Sequence, residues 1–453
     1  MATQTDKQLA RNLKGRHIQL MAIGGTIGTG LFLGAGKAIH AAGPAIILAY
    51  LLCGLMCFFL MRALGELLMS DLTQHSFLDF VGRYLGPRAA AVTGWTYWLC
   101  WVALAMAEVT AVGVYVRFWW PNLPQWLPGL VILLVLWAVN LISVGLFGEA
   151  EFWFALIKVV AILALIALGA VLLIGRVHTA AGTATLTNLW THGGFFPRGV
   201  GGFIMAFQMV VFSFTGIELV GLTASETRDP AKTIPSAINQ LPVRIILFYV
   251  GALVVIMSLS PWTAVSADRS PFVQVFQTLG IPGGADIINF VVLTAAASAC
   301  NSGLYSTGRL LFSMAITSRD PHLHRLAKLS KRQVPARAIT ASTAVIAVAV
   351  GLNYFLPAAV FTLVASVATI SFLFVWVMIV LAHLAFKKTR PRRPTFAAPL
   401  YPLGDWFVLA FLAMIVVIMM LARDTAIATL VAGAVIVGLA VWQGRTGVKH
   451  TKN

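Results

Sequence analysis

Charge is what this chain has least of. Only 10% of its 453 residues are Asp, Glu, Lys or Arg, and just fifteen are acidic. Soluble domains carry about 25% charged residues, so a soluble fold with polar faces between its helices is excluded. Cysteine is scarce too: Cys53, Cys57, Cys100 and Cys300 all fall in apolar stretches, without zinc-ligand spacing or a loop disulfide framework. They read as small packing residues. The histidines are scattered, mostly in loops or at the ends of apolar stretches. No metal-ligand set, nucleophilic triad or nucleotide loop emerges, so neither an enzyme nor a resident cofactor is expected. "GTIGTG" imitates a phosphate-cradling loop, but no strand precedes it and no lysine follows it directly.

What fills the chain instead is hydrocarbon. Hydrophobic residues make up 59% of it, and the mean hydropathy is +0.88. Apolar stretches of roughly 20 residues, enough to cross about 30 Å of hydrocarbon, recur at 18–40, 43–69, 92–116, 127–147, 150–175, 199–224, 242–263, 285–317, 336–356, 359–386, 403–422 and 425–443. The reading is an all-α integral membrane protein with twelve transmembrane helices. The first stretch is long and runs straight into this pattern, so no cleavable signal peptide is expected.

A net charge of +17 invites a nucleic-acid partner, but its distribution argues against one. With the N-terminus in the cytoplasm, 23 of the 32 Lys and Arg fall in cytoplasmic segments and six outside, at Lys37, Arg117, Arg176, Arg198, Arg269 and Arg423. This is the positive-inside asymmetry. The basic runs "KKTRPRR" and "HRLAKLSKR" set topology and face lipid headgroups. The expected location is a bacterial cytoplasmic (inner) membrane, multi-pass, with both termini cytoplasmic and the lipid bilayer as the large partner. "RFWWPNLPQW" (117–126) supplies an outer aromatic belt.

Two stretches weaken their own helices. "GGTIGTG" (24–30) places four glycines in seven residues, each costing roughly 1 kcal/mol against alanine inside a helix. In the sixth stretch, Ser213, Thr215, Gly216 and Glu218 interrupt "VVFSFTGIELVG" (210–221). Breaks at corresponding positions five spans apart point to a transport site between inverted repeats. An unwound backbone in hydrocarbon must line a cavity or meet a ligand. The half-helix from about Gly30 presents a partial positive charge suited to a carboxylate, and carbonyls freed in the sixth stretch suit an ammonium group. Together they fit the head of a zwitterionic amino acid. Gly34, Gly36 and Gly169 read instead as close-packing glycines.

Charges inside the spans are costly and usually functional. Lys158, in "FWFALIKVVAIL", lies beyond snorkelling range and has Ser298, Asn301 and Ser302 of the eighth stretch as candidate supports. It stands where a coupling sodium ion could otherwise hold the first helix to the eighth. Glu218 and Glu108 are placed to take up and lose a proton; Glu226 is a weaker candidate, since Arg228 explains it equally well. Arg62 and Glu66 read as a structural i,i+4 pair.

The segments "RHIQLMAIGGTIGTGLFLGAG", "MRALGELLMS", "GEAEFWFALIKVVAI", "FSFTGIELVGLTASETRDPAKTIPSAI" and "FVVLTAAASACNSGLYSTGR" together closely resemble bacterial amino acid permeases of the amino acid–polyamine–organocation superfamily. The resemblance covers residues 8 to 445 and is nearest to permeases for alanine, glycine and D-serine, then proline and threonine. It implies a five-plus-five inverted-repeat (LeuT-like) core with broken helices 1 and 6, two further helices, and symport of amino acid with protons, which are the coupling ion. On that footing Gly28, Thr29 and Gly30 hold the substrate carboxylate. Backbone carbonyls of Thr26, Phe212, Ser213 and Thr215 hold the ammonium, and Phe212 is the aromatic gate. Lys158 and Glu218 match the family's lysine and glutamate tied to proton coupling.

The expected organisation is a cytoplasmic tail (1–17), a transport core (18–386), a basic loop (387–402), two more spans (403–443) and a second tail (444–453). The expected function is proton-coupled symport of neutral, small amino acids. An exchanger of the same fold, or a permease for proline, threonine or aromatic amino acids, is the alternative. An ion channel would need symmetric pore rings, and a membrane enzyme a catalytic constellation. The residues set no oligomeric state, and a monomer is the working expectation.

Overall fold

Glycine and proline decide where the first long helix turns. Gly30–Ser70 is one apolar run of 41 residues, about 60 Å at 1.5 Å per residue and twice the hydrocarbon thickness. At Gly43 the backbone enters the left-handed region (φ +61) ahead of Pro44, and a side chain there would strike the ring of Pro197. The run therefore divides into α1 (Ala35–Ala42), led in by a wide π-helical turn over Gly30–Gly34, and α2 (Ile46–Ser70).

The computed structural model describes residues 27–74, 76–142, 144–219, 229–318, 320–389 and 396–445. The other principal helices, in chain order, are α3 (Pro87–Val116), α4 (Trp126–Ile142), α5 (Val144–Ile174), α6 (Gly199–Phe212), α7 (Leu241–Leu259), α8 (Gly284–Thr317), α9 (Ala336–Phe355), α10 (Val360–Lys388), α11 (Leu403–Leu421) and α12 (Arg423–Arg445). Ten helices among the described residues are long and apolar enough to cross a membrane. The sequence reading of twelve separates differently for two reasons. The first two stretches run on through the Gly43 bend, and α4, with 17 residues, falls short of a full span. Among the described residues the strand content is a two-residue hairpin, His178–Thr179 with Gly182–Thr183.

Packing sorts these helices into a centre and a rim. α3 packs along both α8 and α10, α5 lies on α8, and α1 lies on α6. The rim shows apolar side chains outward: Val171 and Ile174 on α5, Val417 and Leu421 on α11, Ile427 and Val437 on α12. Apolar surface on that scale is suited to lipid. Close-packing glycines sit at tight contacts: Gly169 of α5 against Val255 of α7, and Gly36 of α1 against the carbonyl of Arg269 in a loop.

The turn after α2 is closed by polar groups. Ser76 caps helix Phe77–Leu85 in a reciprocal box with Asp79. The Thr73 hydroxyl, the Gln74 amide and Arg83 gather on Asp71 and hold its carboxyl well below the usual range.

Near the C-terminal end of α2 the structure corrects one expectation. Glu66 does not pair with Arg62. Its carboxylate accepts from Lys387 Nζ (2.6 Å), the Ala398 amide (2.6 Å) and His383 Nε2 (3.1 Å), while His383 Nδ1 meets Asp405 at 2.7 Å. Arg62 donates to Asn239 and the Ala397 carbonyl and lies over the Phe396 ring. A fully buried carboxylate takes the cations that packing brings inside, and Arg62 sits at the outer edge of that contact. Removing one member of a buried ionic network costs about 3–5 kcal/mol. Glu66→Ala should therefore markedly lower the thermal unfolding temperature of detergent-purified protein, and an unchanged temperature would remove this cluster from the stability of the fold.

Candidate functional site

The two glycine-bearing breaks meet. Leu31 and Phe32 amides both donate to the Gly28 carbonyl (3.2 and 3.3 Å), which starts the helix ahead of its wide π turn over Gly30–Gly34. Across from it α6 ends at Phe212, and Ser213–Gly216 form a turn before a short 3-10 turn over Ile217–Leu219. Gly216 has φ +90, a conformation that disfavours any side chain. A Cβ built on Gly30 would lie 2.6 Å from Ser213 Cα. Backbone touches backbone where one helix starts and the other ends.

The first donors of the half-helix point at a protein carboxylate. The Thr29 amide (3.3 Å) and hydroxyl (3.0 Å) both donate to Oε1 of Glu108, from α3. Thr29 and Glu108 are buried, and Glu108 Oε2 has no hydrogen-bond partner among the described residues. A Cβ on Gly28 would lie 2.8 Å from the same Oε1. The positive end of this helix thus meets a carboxyl group supplied by the fold.

The second break carries its own partners. The Phe212 carbonyl accepts from the Thr215 amide (3.2 Å) and hydroxyl (2.7 Å), and the Ser213 carbonyl from the Tyr249 hydroxyl (3.2 Å). Tyr50 hydrogen-bonds Ser213 Oγ at 2.9 Å. An ammonium arriving here would share these carbonyls rather than find them bare. Sequence reasoning missed both tyrosines, because nothing local to α2 or α7 marks them. Phe212 packs edge-on against Phe361 of α10, and Gln208 one turn earlier bonds Ser366 of the same helix. Thr26 and Glu226 lie outside the described residues.

Lys158 of α5 joins the segment ahead of the first helix to α8. Its Nζ donates to the Ile27 carbonyl (3.1 Å) and to Ser298 Oγ on α8 (3.0 Å), and Ser298 in turn donates to Glu151 Oε1 (2.7 Å). Glu151 is a buried charge beside Lys158 that sequence reasoning also overlooked. The signal was available: it precedes Lys158 by seven residues, two helical turns, and so shares its face. Ser302 and Asn301 flank the same carboxylate. Asn301 also accepts from Asn140 of α4 at 2.8 Å, so it serves a second helix contact instead of reaching Lys158.

Glu218 lies on the far side of the second break. Its Oε2 accepts from Trp376 Nε1 of α10 at 2.9 Å, which ties the 3-10 turn after α6 to α10, and it is fully buried. Among the described residues no group of His, Cys, Asp and Glu is arranged to hold a metal. Chemically, the site offers a helix start that binds a carboxylate, carbonyls able to accept from a cation, and three buried carboxylates and one lysine within reach of the breaks.

A family model described as amino acid permease matches residues 17–448. The chain is 58% identical to the amino-acid permease AapA of Bacillus subtilis (strain 168), over 94% of this chain and 92% of that protein. It is 48% identical to the D-serine/D-alanine/glycine transporter of Escherichia coli (strain K12), over 94% and 92%. Its identity to the aromatic amino acid transport protein AroP of the same strain is 45%, over 94% and 93%.

Proposed function

This chain belongs to the amino acid permease family, and from that footing we propose that it carries neutral, small amino acids across the cytoplasmic membrane in symport with protons. The carrying observation is the pairing of donors and acceptors across the breaks: Thr29 presents an amide and a hydroxyl beside the Ser213 turn, whose carbonyls accept hydrogen bonds. A carboxylate and an ammonium on one carbon need that arrangement. Counting the arms of Gly30–Ser70 separately and including α4, the reading is twelve crossings in a five-plus-five inverted repeat with two added helices. The excess of Lys and Arg on one side supports a cytoplasmic location for both termini.

Lys158, Glu218, Glu108 and Glu226 are the proposed proton-coupling groups, and Phe212 the gate. The Phe212–Phe361 contact and the Trp101 ring, 3.3 Å from a Cβ built on Gly216, narrow the space beside the head-group site. That narrowness favours small side chains. An aromatic preference is the second reading, supported by the likeness to an aromatic amino acid transport protein. Exchange instead of symport is the mechanistic alternative.

Uptake of radiolabelled amino acids into proteoliposomes, with and without an inward proton gradient, tests these readings together. Gradient-driven accumulation is expected, with alanine, glycine or serine outcompeting arginine and glutamate. Uptake only into vesicles preloaded with amino acid would establish exchange. Strongest displacement by phenylalanine would select the aromatic reading, and strongest displacement by lysine or arginine would make Glu108 the reader of a cationic side chain.

A further inference from the structure

We propose that Glu108 is a built-in rival for the substrate's carboxylate, and that it yields the Thr29 cradle to an amino acid only when it is protonated. The inference rests on the transport reading above and names the step at which proton and substrate meet.

The geometry carries it. A helix start has few free donors, and here both donors of Thr29 converge on one oxygen of Glu108. An amino acid carboxylate seeking this helix start needs those same two donors. Gly30–Gly34 runs directly into α1, so the start belongs to a helix of several turns. Glycine at position 28 is what lets Glu108 reach in, since a Cβ there would crowd Oε1. Oε2, buried and without a partner among the described residues, is the oxygen left to take a proton.

Two carboxylates brought to one site cannot both stay ionised. The groups facing Glu108 do not alter that. Lys158 of α5 lies near enough to interact, but its contacts go to Ile27 and Ser298, and Glu151 stands behind Ser298. Cys300 of α8 and Tyr115 of α3 are the remaining titratable neighbours. The sequence of events then balances. A proton from outside joins Glu108 Oε2, and the neutral carboxyl releases the Thr29 amide and hydroxyl. The amino acid carboxylate takes them. On the inner side the amino acid leaves, the proton departs to the cytoplasm, and ionised Glu108 returns to Thr29. One proton moves with each amino acid.

The test is equilibrium binding of glycine, D-alanine and L-phenylalanine to the purified full chain between about pH 5 and pH 9. Only the protonated form admits the ligand, so affinity is full in acid and is lost as pH rises. Above the titration of Glu108, wild type should weaken about tenfold per pH unit. Glu108→Gln should bind with no pH slope, at the affinity wild type reaches in acid. Glu108→Asp, one methylene shorter and a weaker rival, should bind more tightly than wild type at alkaline pH. A flat wild-type profile overturns the proposal, and so does an unchanged slope in Glu108→Gln. Loss of binding in a monodisperse Glu108→Gln would make Glu108 a holder of substrate instead of its rival, as would an Asp variant weaker than wild type throughout. If wild type binds and transports none of the three, the transport reading fails first and this inference falls with it.

Discussion

Valine in place of Gly30 is expected to abolish amino acid binding and uptake in protein that still reaches the membrane. Read from sequence, a side chain at Gly30 intrudes on the substrate carboxylate. The structure supplies a second and harder obstacle. The nearest atoms to a Cβ at this position are Ser213 Cα at 2.6 Å and Ser213 N at 3.0 Å, and backbone cannot turn aside as a flexible side chain does. The two breaks would have to separate by about 1 Å, a misplacement on the scale that costs roughly a hundredfold in a positioned site. That separation pulls the Thr29 donors away from the Ser213 carbonyl they are meant to oppose. The measurement is uptake of labelled glycine and alanine at matched membrane levels, with binding assayed on purified protein. Near-normal uptake would end the assignment of Gly30 to the head-group site.

Lys158→Ala is expected to bind substrate yet lose accumulation driven by a proton gradient. The lysine holds the Ile27 carbonyl to Ser298, so the first break is braced against α8. On the proposed reading, charged Lys158 would act as a bound cation does, and uncharged it would release the brace and let the helices separate. Lys158→Arg should also fail to couple, because guanidinium does not give up its proton. Truncation leaves Glu151 and Ser298 facing an empty place, and a buried carboxylate without its cation destabilises the fold. Adding Glu151→Gln to Lys158→Ala should therefore restore protein yield while accumulation stays absent. Both single variants should keep the pH slope of binding ascribed to Glu108, which separates access to the cradle from movement between states. Undiminished, pH-dependent accumulation by both would reduce Lys158 to a structural role and leave Glu218 or Glu108 to carry the coupling.

Much of the candidate site was legible before any fold was known. Glycine crowding at 24–30 and the polar interruption at 213–218 are local departures from helix composition, so the sequence shows them directly. Lys158, Glu108 and Glu218 stand out for a related reason: each is a charge in a stretch that is otherwise hydrocarbon. Their partners were less visible. Glu66 illustrates why, since i,i+4 spacing put Arg62 within reach, yet His383 and Lys387 arrive from a helix more than three hundred residues later. Tyr50 and Tyr249, each fixed on Ser213, carry no local mark at all.

The amino-acid sequence by itself determined that this is a membrane-spanning helical protein and where its helices give way. Both follow from the cost of exposing polar groups to hydrocarbon, a cost paid residue by residue along the chain. Only the tertiary structure decided that Glu108 rests on Thr29, that Ser298 links Lys158 to Glu151, and that Gly30 lies against Ser213. Those pairings depend on how each helix is rotated and how deeply it packs. Rotation is set by all of a helix's neighbours at once, and no window of sequence contains them.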